Sequence, residues 1–493
     1  MKKTDRVEFL SASQLAKAIR NKEISSVELV HLYQTRFNEL NPKINAIVAT
    51  DFDFAGQRAR EADEALAKGE IWGPLHGLPM TVKDSVEVIG MPCTSGFPGL
   101  KDHLPQKNAD VVESLVAAGA IIFGKTNLPL FGQDFQSFND VYGQTNNPWD
   151  VMRVPGGSSG GSAAALCSGL TSLEIGSDIG GSIRTPAHFC GVYGHKPSYG
   201  IISFKGHIPP FPGLFPGDYS MGGDIAVMGP LARSAQDLDL VMSIITKPAI
   251  PQRVAWKIEL PPSRKKSLKD FRVGLWLDDP DFPVDTNVAD CIGNLVDKLS
   301  TAGVLVEDKH PDISFRDCHD IYTRLLTSVP NSSLSKEILE HFHEEVPKLA
   351  EDDKSFRAQL IRGATMLHRD WIVLDYLRLM MRQKWANYFQ DFDVLVCPAV
   401  SVTAFAHDHT DFFERTLPVN GQDRPYYDTL SAWAGLTCVS YLPATVAPVG
   451  LAENGLPVGI QIVGSYLEDR TPICFAGLIK EITGGFQPPP GFE

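Results

Sequence analysis

The chain has 493 residues, of which 43% are apolar and 21% charged, and its formal net charge is −14. That length can bury a large core, and the composition is that of a globular protein. The acidic balance excludes non-specific binding to nucleic acid or anionic membrane, which needs basic surface.

The first residues, MKKTDRVEFLSAS, have two lysines but no apolar segment of the kind a secretory signal carries. No uninterrupted apolar run approaches the roughly 20 residues of a membrane helix. A cytoplasmic protein is expected, with neither nucleic acid nor membrane as a partner; a homodimer is left open. Residues 11–40 predict helix, with Ser11 and Ser13 as candidate N-caps and apolar residues at helical spacing in SVELVHLYQTRFNEL. AREADEALAKGE (59–70) predicts a second helix, with Gly73 and Pro74 as its stop. GLPMTVKDSVEVIG contains a short strand from Pro79 to Val82 that runs into Lys83 and Asp84. ADVVESLVAAGAIIFGKTN reads as helix, Gly119, strand and loop, a unit suited to an α/β sheet.

Further along, 162–170 predicts a helix of small residues and 172–178 a strand. DIAVMGPLARSAQDLDLVMSII gives strand then helix, and FRVGLWLDD starts another strand. PPSRKKSLKD (261–270) is a polar surface connection. Residues 333–390 predict helices. DVLVCPAV (393–400), ATVAPVG (444–450) and PVGIQIVG (457–464) read as buried strands. The elements interleave without a repeat, and the late strands are plausible partners for the N-terminal ones. The expected fold class is α/β: a single large domain over 1–493, with a central mixed β-sheet covered by helices on both faces. Residues 333–390 form a helical subregion placed to cover the active site.

The eight cysteines are scattered, with no CxxC pair, and HFHEEV at 341–346 is not HExxH. No metal set is expected. The chemistry lies instead in residues 154–186, VPGGSSGGSAAALCSGLTSLEIGSDIGGSIRTP, with seven serines in and between two glycine-flanked clusters.

GGSSG at 156–160 fits GxSxG, but the residues before it read as loop, whereas a nucleophile elbow needs a strand there. Neither cluster matches GxxxxGK[ST] or GxGxxG, the phosphate-binding patterns. In the second cluster a strand runs into Ile179, Gly180, Gly181 and Ser182. Successive N–H groups in such a turn form a nest for an anion, which a tetrahedral oxyanion requires. Ser182 ends that nest, where its hydroxyl can attack the same carbonyl. A plain tight turn with satisfied hydroxyls is the alternative for a lone GGS. A serine nucleophile also needs a base. Lysine serves only if burial lowers its usual pKa of about 10.4. Lys83 follows the apolar PMTV; a surface pair with Asp84 is the competing reading.

GGSSGGS, GSDIGGSIRTP and the upstream VKDS, together with GKTN (124–127), GQTNNPW (143–149) and GPLARSAQDLDLV (229–241), resemble the amidase signature family. The core of the resemblance spans about 75–250. Lys83 precedes Ser158 by 75 residues, and Ser158 precedes Ser182 by 24, which fits the family. The resemblance implies an amidohydrolase without cofactor: Ser182 as nucleophile, Ser158 as a bridging serine on a cis peptide, Lys83 as base, and Asp178 and Arg184 bracing the loop. Ile179, Gly180, Gly181 and Ser182 are the expected oxyanion donors. Ser159, Ser162 and His188 are read as structural.

The segment 202–223, rich in Pro, Phe and Gly, is a candidate pocket wall, and Phe131, Phe135 and Phe138 add aromatic surface. Small to medium apolar or aryl amides are the expected substrates, with water as co-substrate; carbamates and esters share the acyl-enzyme chemistry. In the family the segment after GKTN often carries an acidic residue where this chain has Leu130. A glutaminase-type subunit of a tRNA-dependent amidotransferase and a non-catalytic scaffold are the alternatives from other classes.

Overall fold

The first two helices begin at serine caps. Ser11 accepts from Gln14 N and starts Ala12–Arg20; Ser25 accepts from Glu28 N and starts Ser26–Ile44, and each cap's own N–H donates in return to the Gln14 or Glu28 side chain. The expected helix over 11–40 is therefore two. Ser13 lies inside the first of them, where its hydroxyl donates to Asp237 at 2.5 Å, so it is not a cap. The computed structural model describes residues 6–212, 222–249, 252–329 and 334–492.

The strands are β1 (Ile47–Thr50), β2 (Pro79–Lys83), β3 (Ile121–Thr126), β4 (Phe138–Asn139), β5 (Gly143–Gln144), β6 (Glu174–Asp178), β7 (Tyr193–Lys196), β8 (Val227–Ala232), β9 (Arg272–Leu275), β10 (Leu305–Glu307), β11 (Val394–Pro398), β12 (Thr416–Val419), β13 (Gln422–Pro425), β14 (Ala444–Leu451) and β15 (Pro457–Val463). Eight of them form a mixed sheet in the order β10-β9-β11-β15-β14-β7-β8-β6. Its β10–β9 and β9–β11 pairs are parallel and the others antiparallel. The α/β fold with a mixed sheet flanked by helices is as expected.

The pairing of the early strands differs. The late strands do not complete them: β1, β3 and β2 make a sheet of their own, in that order. β2 meets the larger sheet beside β6, where Thr81 N donates to Leu173 O at 3.4 Å and to Thr171 Oγ1 at 3.1 Å. One contiguous apolar cluster runs from Ala12 to Phe492 and joins both sheets.

The stretch expected to be helical from 333 is described from 334 onward. It holds the helices Lys336–Glu345, Phe356–Ala364 and His368–Asp391. The helix that reaches the glycine loop is the preceding one, Phe315–Ser328, through Tyr322. Among the described residues no helix is long and apolar enough to cross a membrane.

Candidate active site

β2 is buried at all five positions and ends in Lys83, which is 1% exposed. β6 lies beside it, is likewise buried throughout, and ends in Ser177 and Asp178. The serine clusters follow from these positions. GGSSG runs into the helix Gly160–Cys167, whose residues are all buried. GGS leads from β6 into the short helix Arg184–Cys190. Ser159 N donates to Ser182 O at 3.0 Å and ties the two clusters together.

Lys83 Nζ and Ser158 Oγ are hydrogen-bonded at 2.6 Å, and Lys83 Nζ donates to Ser177 Oγ at 3.1 Å. The Gly157–Ser158 peptide is cis. Burial lowers the Lys83 ammonium to about 7, and the nearby Asp178 charge only partly offsets it. A surface pair between Lys83 and Asp84 is thereby excluded. Asp84 is itself buried, its carboxylate accepting from Thr94 N at 3.1 Å and lying 3.9 Å from Lys125 Nζ.

Ser182 is 7% exposed. Among the described residues its hydroxyl makes no hydrogen bond to Ser158 or Lys83, so the first leg of the expected relay is bonded and the second is not. Asp178 and Arg184 form a buried pair at 2.8 Å. The carboxylate also accepts from Gly181 N at 2.8 Å and Ile183 N at 3.0 Å. Arg184 reaches on to Ala434 O at 2.9 Å, Thr437 Oγ1 at 2.7 Å and Gln461 Oε1.

This corrects one expected oxyanion donor. The Gly181 N–H is taken by Asp178, because the preceding carboxylate folds back into the turn. The N–H groups of Ile179, Gly180 and Ser182 have no acceptor among the described residues. Gly181 has φ +108°, where a side chain is strained.

Ser159 and Ser162 make structural contacts as expected: Ser162 Oγ meets Thr126 Oγ1 at 2.9 Å, and Ser159 Oγ bridges to the backbone of Ser177. His188 is buried between Gly459 and Val402 backbone groups. Of the three phenylalanines expected to add aromatic surface, Phe135 packs on Tyr426 and Phe138 stacks on His409. Phe131 instead meets Phe97 and Phe211, with all three ring pairs between 5.0 and 5.8 Å. Of the expected pocket wall, residues 213–221 lie outside the described residues.

Sequence reasoning missed His207. Its Nε2 lies 2.9 Å from Ser177 Oγ, one hydrogen bond from Lys83. An imidazole between Gly206 and the proline-rich IPPFP was the available signal.

A buried lysine held near neutrality against a serine, beside a glycine turn whose Ile179, Gly180 and Ser182 N–H groups meet no acceptor among the described residues, can activate a hydroxyl and receive an oxyanion. Residues 28–472 match the Amidase family, and the chain belongs to it; it is an amide hydrolase. An indoleacetamide hydrolase of Bradyrhizobium diazoefficiens is 32% identical over 472 residues, covering 93% of this chain and 84% of that protein. A glutamyl-tRNA(Gln) amidotransferase subunit of Methylobacillus flagellatus is 31% identical over 503 residues, covering 96% of this chain and 97% of that one. The solved structure of a 6-aminohexanoate cyclic dimer hydrolase superposes with a TM-score of 0.77 at 26% identity, covering 99% and 100% of the two chains.

Proposed function

We propose that the protein hydrolyses apolar or aryl amides through an acyl-enzyme on Ser182. The observation that carries this reading is the 2.6 Å contact between Ser158 Oγ and a buried Lys83 Nζ whose pKa is about 7. Neutral Lys83 takes the Ser158 proton as Ser158 takes that of Ser182, and Ser182 Oγ attacks the amide carbonyl. The N–H groups of Ile179, Gly180 and Ser182 receive the oxyanion, while Asp178 and Arg184 brace the loop. The proton returns through Ser158 to the leaving nitrogen as the C–N bond breaks. Water then cleaves the ester by the same relay, restoring the Ser182 hydroxyl and releasing the acid.

The Phe97, Phe131 and Phe211 cluster supports the apolar preference. These rings come from three separate segments and are only partly buried. The neighbouring Gly132 approaches the relay: a Cβ there would lie 3.1 Å from Ser158 Oγ. The indoleacetamide hydrolase relative is in keeping with an aryl-bearing amide.

The test is a fluorophosphonate label with peptide mapping, followed by a panel of anilide, aliphatic amide, carbamate, ester and glutamine substrates. The adduct is expected on Ser182, with anilides turned over best. An adduct on Ser158 overturns the assignment, and a preference for glutamine moves the chain to the amidotransferase reading.

A further inference from the structure

A neutral lysine has two N–H bonds and one lone pair, and it can act as base only toward the group its lone pair faces. Lys83 Nζ has two hydroxyl neighbours, Ser158 at 2.6 Å and Ser177 at 3.1 Å. If Ser177 donated to the nitrogen, it would occupy the lone pair that Ser158 needs. Something has to set the direction of the Ser177 hydroxyl.

His207 does so through its tautomer. Its Nδ1 lies 3.1 Å from Pro209 O. A carbonyl only accepts, so Nδ1 carries the proton and Nε2 is left as an acceptor. Nε2 lies 2.9 Å from Ser177 Oγ and, on the same lone pair at longer range, 3.1 Å from Ser85 Oγ. The Ser177 hydroxyl therefore donates to His207 and accepts from Lys83. We propose that His207 is a positioning residue of the relay: by fixing Ser177 as an acceptor from Lys83, it turns the Lys83 lone pair toward Ser158. The inference rests on the Ser182–Ser158–Lys83 reading.

The ring is held in place by its own loop. Gly206 has φ +84°, and a Cβ there would lie 2.5 Å from Ala109 Cα, so only glycine lets the chain pass. Gly206 O accepts from Glu87 N at 2.8 Å, Ile208 N donates to Ser85 O at 2.8 Å, and Ser95 Oγ donates to Ile208 O at 2.9 Å. These bonds sew the loop to the segment that follows β2. The charged groups facing His207 are Lys83 and Lys125, with Asp178 acting on Lys83 from β6. Burial and the Lys83 charge lower the imidazole to about 3. The ring is thus held neutral, and it acts through hydrogen-bond direction, not charge.

The test uses a 4-nitroanilide substrate, with kcat, KM and the pH dependence of kcat/KM measured for the full chain. His207→Leu is expected to lower kcat by about tenfold or more, the worth of one misdirected hydrogen bond, with little change in KM. Its acid limb should move to lower pH, because a released Ser177 hydroxyl can donate to neutral Lys83 and stabilise that form. His207→Gln, whose amide oxygen can accept from Ser177, should recover most of the rate. Ser177→Ala removes the acceptor that orients the Lys83 N–H groups, so it should also lower kcat, but with no hydroxyl left to donate its acid limb should not move to lower pH as that of His207→Leu does; the double variant should match Ser177→Ala. Ser177→Ala reads the rate loss alone if His207→Leu does not fold. Wild-type kcat in either variant, a wild-type limb in His207→Leu, a His207→Gln enzyme as slow as His207→Leu, or losses that multiply in the double variant would overturn the proposal. Lys83→Ala run alongside separates the two levels. If it is fully active, the relay itself fails; if it is inactive while His207→Leu is unchanged, only the positioning role fails.

Discussion

Asp178 Oδ1 accepts the N–H of Gly181 at 2.8 Å while the same carboxylate holds the Arg184 fork. One buried acid therefore fixes both the turn carrying Ser182 and the arginine that anchors it to the helix Tyr426–Val439 and to β15. Asp178→Asn leaves Arg184 buried without its counter-charge. The expected cost is about 3–5 kcal/mol, read as a lower urea midpoint, with a fall in kcat as the loop loosens. The pH dependence has a definite sign. Burial alone would raise the Asp178 carboxyl, but the Arg184 charge and hydrogen bonds hold it well below the usual carboxylate range. Its contribution is fully present above the unfolded value of about 3.9 and is lost as pH falls below it. Urea midpoints between pH 2 and 7 should show an acid loss in the wild type that is reduced in Asp178→Asn.

Lys83 has a linkage of the same sign, but it enters as a penalty and in a higher pH window. Its folded pKa, about 7 through burial, lies below the unfolded value of about 10.4. Between those values the unfolded chain binds the extra proton, so stability rises with pH across that window and the penalty is fully present below it. Lys83→Met removes the penalty. It is expected to abolish turnover yet raise the unfolding midpoint at pH 7, the added stability being roughly 1–4 kcal/mol, as when a buried charged group is replaced by a packed apolar one. In the wild type kcat/KM should climb through an acid limb near pH 7 and then level off. A less stable Lys83→Met protein would contradict the burial argument; an active one would contradict the role as base.

Tyr322 OH donates to Ile179 O at 3.1 Å. The peptide is planar and trans, so fixing that carbonyl points the Gly180 N–H the other way. Tyr322→Phe frees the peptide to rotate without removing the ring. The expected result is a loss of about tenfold in kcat with KM little changed, since the oxyanion exists only in the transition state. Steady-state kinetics on one anilide check this, and an equal rise in KM would place the effect in substrate binding instead.

These residues show what the sequence carries and what it leaves out. β2, β3, β6 and the serine clusters are locally coded: apolar runs end at Lys83 and Asp178, with glycines after the latter. β7 was missed because it is YGHK, and polar side chains hide a strand whose His195 and Lys196 are both buried. The helix Tyr426–Val439 is buried everywhere except Asp428, so it lacks the polar face that marks a surface helix. The pairing of β1, β2 and β3 among themselves depends on long-range register, which no local pattern fixes. The same holds for the loss of the Gly181 N–H to Asp178 and for the approach of His207 to Ser177, 30 residues away. Residue types were legible; the direction of each hydrogen bond needed the fold.

Phe131 offers a test of specificity that leaves the relay groups intact. Its ring sits 5.0 Å from both Phe97 and Phe211, and its neighbour Gly132 borders Ser158. If an aryl group of the substrate lies against this cluster, Phe131→Ala removes apolar contact that a small aliphatic amide never uses. Full burial of a phenylalanine side chain is worth about 1.5–3 kcal/mol, so kcat/KM for an anilide should fall about tenfold to a hundredfold. The value for a short aliphatic amide should stay within about threefold, since truncating a distant contact costs only the ligand that makes it. Paired kcat/KM measurements on the two substrates decide the matter. Equal losses on both would mean that the cluster supports the loop around Ser158, not the substrate.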